Sequence, residues 1–135
     1  MGANEFVTIS LPATFTVTAP DGSGICELPR LERGSMAHGT LAPGSISRAI
    51  RHRSVEEIWY VLGGCAEIWR QLDGIERIET IRPGDSLTLP VGTHFQFRAI
   101  GAEPYTFIMC TMPPWSTADE AVRVEGIWQA TEVEG

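Results

Sequence analysis

Few residue types in this chain can carry out acid–base chemistry. All ten basic residues are arginine, and the other candidates are three histidines, 17 carboxylate side chains, two tyrosines and three cysteines. Because the chain contains no lysine, Schiff-base chemistry and a lysine general base are excluded, and so is a Gly-x-x-x-x-Gly-Lys phosphate loop. Histidine titrates near neutral pH, which makes it the first candidate for a general base or acid.

His52 and Glu57 form the pair whose spacing favours such chemistry. Side chains alternate between the two faces of a strand, so Ile50 and His52 share one face, and Glu57 and Trp59 share one after an intervening turn. The family resemblance given below implies that both faces look into one pocket, and we predict that His52 and Glu57 are its catalytic acid–base residues. A His–Glu hydrogen bond with a purely structural role is the alternative interpretation of this spacing.

A later strand contributes an apolar wall to the predicted pocket. Alternation places Phe95 and Phe97 on one face and His94 and Gln96 on the other, and the family resemblance given below implies that Phe95 and Phe97 face inward. The pocket is therefore expected to hold one imidazole, one carboxylate and an apolar set of ligand-binding residues. That set consists of Ile50, Trp59, Val61, Phe95 and Phe97.

Short apolar runs separated by turn signals predict an all-β protein with eight to ten strands and almost no helix. The predicted strands include residues 14–18, 35–41, 57–62, 65–71, 75–81, 86–89, 94–100 and 105–112. After Pro113 and Pro114, the spacing of Ser116 and Asp119 predicts a short helix. We predict a single domain over residues 1–135, with its barrel core at 35–112 and a C-terminal tail at 113–135.

Two stretches of the chain carry a resemblance to a known family. The matching positions are Gly44, His52, Glu57 and Gly64 in the first stretch and Gly84, Pro90 and Gly92 in the second. In type and spacing they resemble the two conserved motifs of the cupin superfamily, of the single-domain, bacterial, RmlC-like type. The resemblance implies a single cupin domain folded as a jelly-roll β-barrel.

The resemblance also implies which positions would hold a metal ion. In cupins a divalent ion is bound by three His and one Glu, and the corresponding positions here are Ile50, His52, Phe95 and Glu57. Because Ile50 and Phe95 carry no donor atom, no cofactor is expected. The alternative is a divalent transition metal bound by His52, Glu57 and His94, which requires a β-bulge to turn His94 inward.

The resemblance leaves three functions open. The first is a small-molecule-binding cupin with a degenerate metal site, an isomerase, epimerase or cyclase using His52 with Glu57, with Tyr60 or Tyr105 as acid partner. The second is a metal-dependent dioxygenase or lyase using His52, Glu57 and His94. The third is a non-catalytic ligand-binding or sensor module.

Composition limits the partners of this chain. A net charge of -7 disfavours nucleic acid, because no basic patch is available to neutralise phosphates. No apolar run is long enough to span a membrane. Three widely spaced cysteines and the lack of a visible signal peptide predict a cytoplasmic protein. A small organic molecule is the expected partner.

We also expect a homodimer. The apolar stretch 6–17 and the predicted strand 35–41 would otherwise leave a long open sheet edge. Pairing of two copies across a two-fold axis closes such edges.

Overall fold

The computed structural model describes residues 6–131 and contains eleven β-strands. The strands are β1 (Val17–Thr18), β2 (Gly24–Arg30), β3 (Ser35–Leu41), β4 (Ile50–His52), β5 (Glu56–Gly63), β6 (Cys65–Leu72), β7 (Ile75–Ile81), β8 (Ser86–Leu89), β9 (His94–Ile100), β10 (Tyr105–Met112) and β11 (Ala121–Arg123). A 3-10 turn, Ala118–Glu120, precedes β11. Within residues 6–131 there is no helix with the length and apolar character needed to cross a bilayer.

The strands form two antiparallel sheets. One has six strands in the order β1-β2-β3-β10-β5-β8, and the other has five in the order β11-β4-β9-β6-β7. Many neighbours in each sheet are distant in sequence, as expected of a jelly roll rather than a simple meander. The predicted all-β jelly-roll barrel is therefore confirmed.

Aromatic rings fill one part of the space between the sheets. The cluster contains Trp59, Phe97, Tyr105 and Phe107, all almost fully buried, and the ring centroids of Trp59 and Phe107 lie 4.3 Å apart. Each such ring pair adds about 0.5–1.5 kcal/mol beyond the burial of its area. Gly39 of β3 lies flat against Phe107, where a Cβ atom would come within 2.5 Å of the ring. The packed rings therefore fill this part of the barrel interior.

Strand β2 is missing from the strands predicted from sequence, and β1 is shorter than predicted. Pro29 cannot donate to a sheet ladder, and the pairing of β2 with β3 is interrupted between Glu27 and Arg30, which accommodates it. Just before β1, the Thr16 hydroxyl donates to the carbonyl of Ile25 and accepts from the amide of Glu27. The backbone amide of Thr16 also donates to the carbonyl of Ile25, so contact with β2 begins one residue before β1.

The predicted open edge at residues 35–41 is wrong. Strand β3 pairs with β2 on one side and with β10 on the other, so it lies inside the six-stranded sheet. The edge strands of that sheet are β1 and β8. The edge prediction failed because it did not include β2.

The C-terminal tail is part of the barrel wall. The helix predicted there is only the 3-10 turn, after which β11 pairs with β4. The tail then runs over Gln96, whose side chain faces away from the barrel interior as predicted but is buried. Gln96 donates to the carbonyls of Ser47 and Trp128 and accepts from the amides of Ile127 and Trp128. Residues 132–135 of the predicted tail lie outside the described residues.

Candidate functional site

His52 and Glu57 meet inside the barrel. The distance between His52 Nε2 and Glu57 Oε2 is 3.2 Å, and both side chains are about 95% buried. The ring is not aligned for a hydrogen bond to Glu57, and neither ring nitrogen has a hydrogen-bond partner within the described part of the chain. An imidazole buried without such a partner is unusual, which marks His52 as a candidate to contact a ligand.

The sequence of β5 explains why Glu57 points inward. Burial alternates along this strand, so that Glu57, Trp59 and Val61 are buried while Ile58 and Tyr60 are exposed. The indole Nε1–H of Trp59 donates to Glu57 Oε1 at 2.8 Å. This bond fixes the carboxylate and leaves Oε2 directed at His52.

The pair lies in the wall of a partly open cavity of about 340 Å³. The ring of Phe95 lies 5.6 Å from that of His52, and Trp115 meets His52 edge-on at 5.2 Å. Most of the lining is apolar, which suits a small organic molecule held by a few polar groups. The charged residues Glu27 and Arg30 also line the cavity, and both are exposed.

The structure places three of the five predicted wall residues on this cavity. Ile50, Trp59 and Phe95 line it, whereas Val61 and Phe97 do not and are completely buried. Alternation identified the correct face for all five. It could not show how far the cavity extends, because ring packing fills the barrel around Phe97.

His94 does not join His52 and Glu57. The pairing of β9 with β6 is regular from Cys65 opposite Ile100 to Gln71 opposite His94, without a bulge. His94 therefore keeps the face opposite to that of Phe95 and does not line the cavity. The register shift that the alternative metal set requires does not occur.

The donor atoms present do not fit the metal site that the resemblance implies. Ile50 and Phe95 occupy two of its ligand positions and lie opposite each other on β4 and β9. Among residues 6–131, no three His, Cys, Asp or Glu side chains are placed to hold a metal ion together. Two donors leave most of the coordination sphere of a divalent ion to water, and such ions are held by more protein ligands.

Neither tyrosine is placed to be the acid partner. Tyr60 is 50% exposed on the outer face of β5, as alternation predicts. Tyr105 is buried in the aromatic cluster, its hydroxyl has no partner within residues 6–131, and it does not line the cavity. Burial raises the pKa of the Tyr105 hydroxyl far above its ordinary value, which opposes proton release.

Sequence reasoning missed two acidic residues near the pair. Asp21 lies in the loop before β2, where it is buried and lines the cavity. Burial raises the pKa of Asp21, and the charge of Glu57 adds to this, while hydrogen bonds from Ser23 and the charge of His52 act in the opposite direction. The sequence Asp21-Gly22-Ser23 signals a turn but not its position in the barrel.

Glu120, in the tail, is the second of these residues. Its carboxylate accepts hydrogen bonds from the backbone amides of Ser54 and Val55 and from the Ser54 hydroxyl. Burial alone would raise the pKa of Glu120, but these bonds and the charge of His52 outweigh burial and lower it. Glu120 thus stays ionised and ties the tail to the loop that follows His52.

Comparison with known proteins agrees with the jelly-roll fold described above. Residues 37–111 match the family model for the cupin domain, which is more than half of the chain. The protein therefore belongs to the cupin family.

One protein similar in sequence and two solved structures similar in fold each match most of this chain. An uncharacterized protein of Methanocaldococcus jannaschii is 33% identical over 107 residues, covering 76% of this chain and 82% of the relative. A double-stranded β-helix protein from Klebsiella pneumoniae has a TM-score of 0.67 at 18% identity, covering 90% of this chain and 100% of its own. KdgF from Halomonas sp. has a TM-score of 0.61 at 18% identity, covering 73% of this chain and 86% of its own.

Proposed function

We propose that this cupin binds a small organic molecule in the cavity and that His52, assisted by Glu57, carries out acid–base chemistry on it. The observation that carries the proposal is the buried His52–Glu57 contact, at 3.2 Å, in the wall of an apolar cavity. An isomerase, epimerase or cyclase requires only such proton transfers. The proposal therefore needs no metal-binding donor atoms beyond those present.

The roles of the two residues follow from their surroundings. A ring nitrogen of His52 accepts a proton from the bound molecule, and the adjacent carboxylate of Glu57 stabilises the imidazolium that forms. Trp59 holds Glu57 in place through its indole N–H. A non-catalytic binding module would use the same cavity, so ligand binding there is the first step to test.

The binding test uses a substitution on β3 that places a large side chain in the cavity. Ala37 of β3 lines the cavity, whereas His38, the next residue, does not. The probe is N-phenyl-1-naphthylamine, a neutral apolar dye whose fluorescence rises on leaving water. We expect saturable binding of one dye per chain, and at least a tenfold loss of affinity in Ala37→Trp, which is about 1.4 kcal/mol.

The matched control for this test is His38→Trp, which adds the same indole one residue away. It should bind the dye as the wild type does, and both variants should keep the wild-type circular dichroism spectrum. Equal binding by wild type and Ala37→Trp would show that the dye lies elsewhere and would contradict the proposed site.

We further propose that the chain forms a homodimer through the outer face of the six-stranded sheet. Apolar side chains exposed on that face include Ile58, Tyr60 and Leu62 of β5, each more than 40% exposed. Light scattering at micromolar concentration should give twice the 14.8 kDa mass of one chain, and Ile58→Glu should lower it towards one. A monomeric mass for the wild type would refute the dimer.

A further inference from the structure

The position of Asp21 assigns a second reactive group to the cavity. Its loop is tied to the segment just before β4, since the backbone carbonyl of Asp21 accepts from the amide of Arg48 and the carbonyl of Pro20 accepts from the Arg48 guanidinium. Asp21 lines the same cavity as His52 and Glu57. It lies close enough to both that their charges act on its carboxyl.

The two oxygens of Asp21 have different surroundings. Oδ1 accepts hydrogen bonds from the amide and hydroxyl of Ser23, at 2.9 and 2.7 Å. No hydrogen bond to Oδ2 occurs among the described residues, and only 6% of the residue is exposed. Burial favours the neutral form of this carboxyl. A neutral carboxyl can donate its proton to a ligand, and the free Oδ2 of Asp21 is the oxygen from which it can do so.

We propose that Asp21 is the acid partner of His52 and that the ligand is a small, uncharged, enolisable carbonyl compound. This inference rests on the function proposed above and adds its substrate class and second catalytic residue. An uncharged ligand fits because the cavity lining is mostly apolar and its two exposed charged residues, Glu27 and Arg30, have opposite charges. A carbonyl group fits because the base and the acid then act on neighbouring atoms.

The reaction balances without any further reactant. His52 takes a proton from the carbon next to the carbonyl, and the electron pair of the broken C–H bond forms a C=C bond. The C=O π pair moves to oxygen, which takes the proton of Asp21, so the products are an enol, an imidazolium and the Asp21 carboxylate. Return of the imidazolium proton to the other face of the same carbon, while the enol oxygen gives its proton back to the Asp21 carboxylate, gives the epimer and restores both residues.

The first test asks whether Asp21 is a reactive, protonated carboxyl open to the cavity. Dicyclohexylcarbodiimide is an apolar reagent that adds to protonated carboxyl groups, and its adduct can be located by peptide mass spectrometry. At neutral pH we expect the adduct on Asp21, and its loss in Asp21→Asn. An unmodified Asp21 in the wild type would overturn the proposal.

The second test measures proton transfer on 4-phenylbutan-2-one, a neutral enolisable ketone, by NMR in D2O. Wild type should exchange the hydrogens next to the carbonyl faster than buffer alone, and Asp21→Asn should lose at least tenfold of that rate, since general acids contribute about 10²–10⁴-fold. The Asn side chain keeps an oxygen that can accept from Ser23, so the fold should not change, which the circular dichroism spectrum checks.

Asp85→Asn is the matched control, because Asp85 also accepts a turn amide, that of Arg82, but is exposed and does not line the cavity. It should exchange the ketone like the wild type. If Asp21→Asn retains the wild-type rate while His52→Gln loses it, Asp21 is not the acid and the function proposed for His52 stands. If the wild type binds the dye but exchanges no faster than buffer, the carbonyl class is overturned while ligand binding remains.

Discussion

Replacing Ile50 and Phe95 by histidine is expected to create a divalent-metal site in the barrel. Ile50 and Phe95 pair directly across β4 and β9, and both line the cavity that contains His52 and Glu57. The double variant would therefore present three imidazoles and one carboxylate, a donor set suited to nickel, cobalt or zinc. Elemental analysis after dialysis should find close to one metal ion per chain, and metal should raise the melting temperature.

The wild type gives the baseline for this experiment, and we expect it to carry no stoichiometric transition metal after purification. A variant with Ile50→Leu and Phe95→Leu controls for altered packing, since it changes the same positions without adding donors. Adding Glu57→Gln to the histidine variant should weaken metal binding. Metal uptake no greater than that of the leucine control would show that these four positions do not converge.

Replacing Gln96 by leucine is expected to cause a large loss of stability. Its buried amide makes four hydrogen bonds with the backbone of Ser47, Ile127 and Trp128, at 2.8 to 3.0 Å. Leucine has a similar size but leaves these backbone groups without partners, and each unsatisfied buried group costs about 1–3 kcal/mol. We expect the free energy of unfolding to fall by about 3 kcal/mol or more, measured by denaturant titration.

Gln71→Leu is the matched control for this variant. Gln71 is exposed on β6, and its side chain makes no hydrogen bond among the described residues, so the change should stay within about 0.5 kcal/mol. A Gln96→Leu protein as stable as this control would mean that the tail does not depend on the Gln96 amide.

Much of the fold could be predicted from the sequence because local signals determine it. Turn residues bracket β7 and β8, and alternation along β5 correctly placed Glu57 and Trp59 inside. Strand β11 could not be predicted, because a three-residue segment becomes a strand only by pairing with β4. The burial of Gln96 depends in the same way on the tail that covers it.

The candidate site could be predicted only in part, for a related reason. Motif spacing identified His52 and Glu57, which are close together in sequence and face one cavity. Asp21 and Trp115 reach the same cavity from opposite ends of the chain, and a single sequence contains no local signal for that proximity. The extent of the apolar wall depended on ring packing, which alternation does not describe.

The most direct test of the proposed binding site uses the four tryptophans of the chain. Trp59 and Trp115 line the cavity, whereas Trp69 donates to Glu76 and Trp128 lies under Arg98. The indole N–H signals should be followed by 1H–15N NMR while N-phenyl-1-naphthylamine is added. We expect the signals of Trp59 and Trp115 to shift and those of Trp69 and Trp128 to stay in place. Shifts confined to Trp69 or Trp128, or no shift at saturation, would contradict a binding site beside His52 and Glu57.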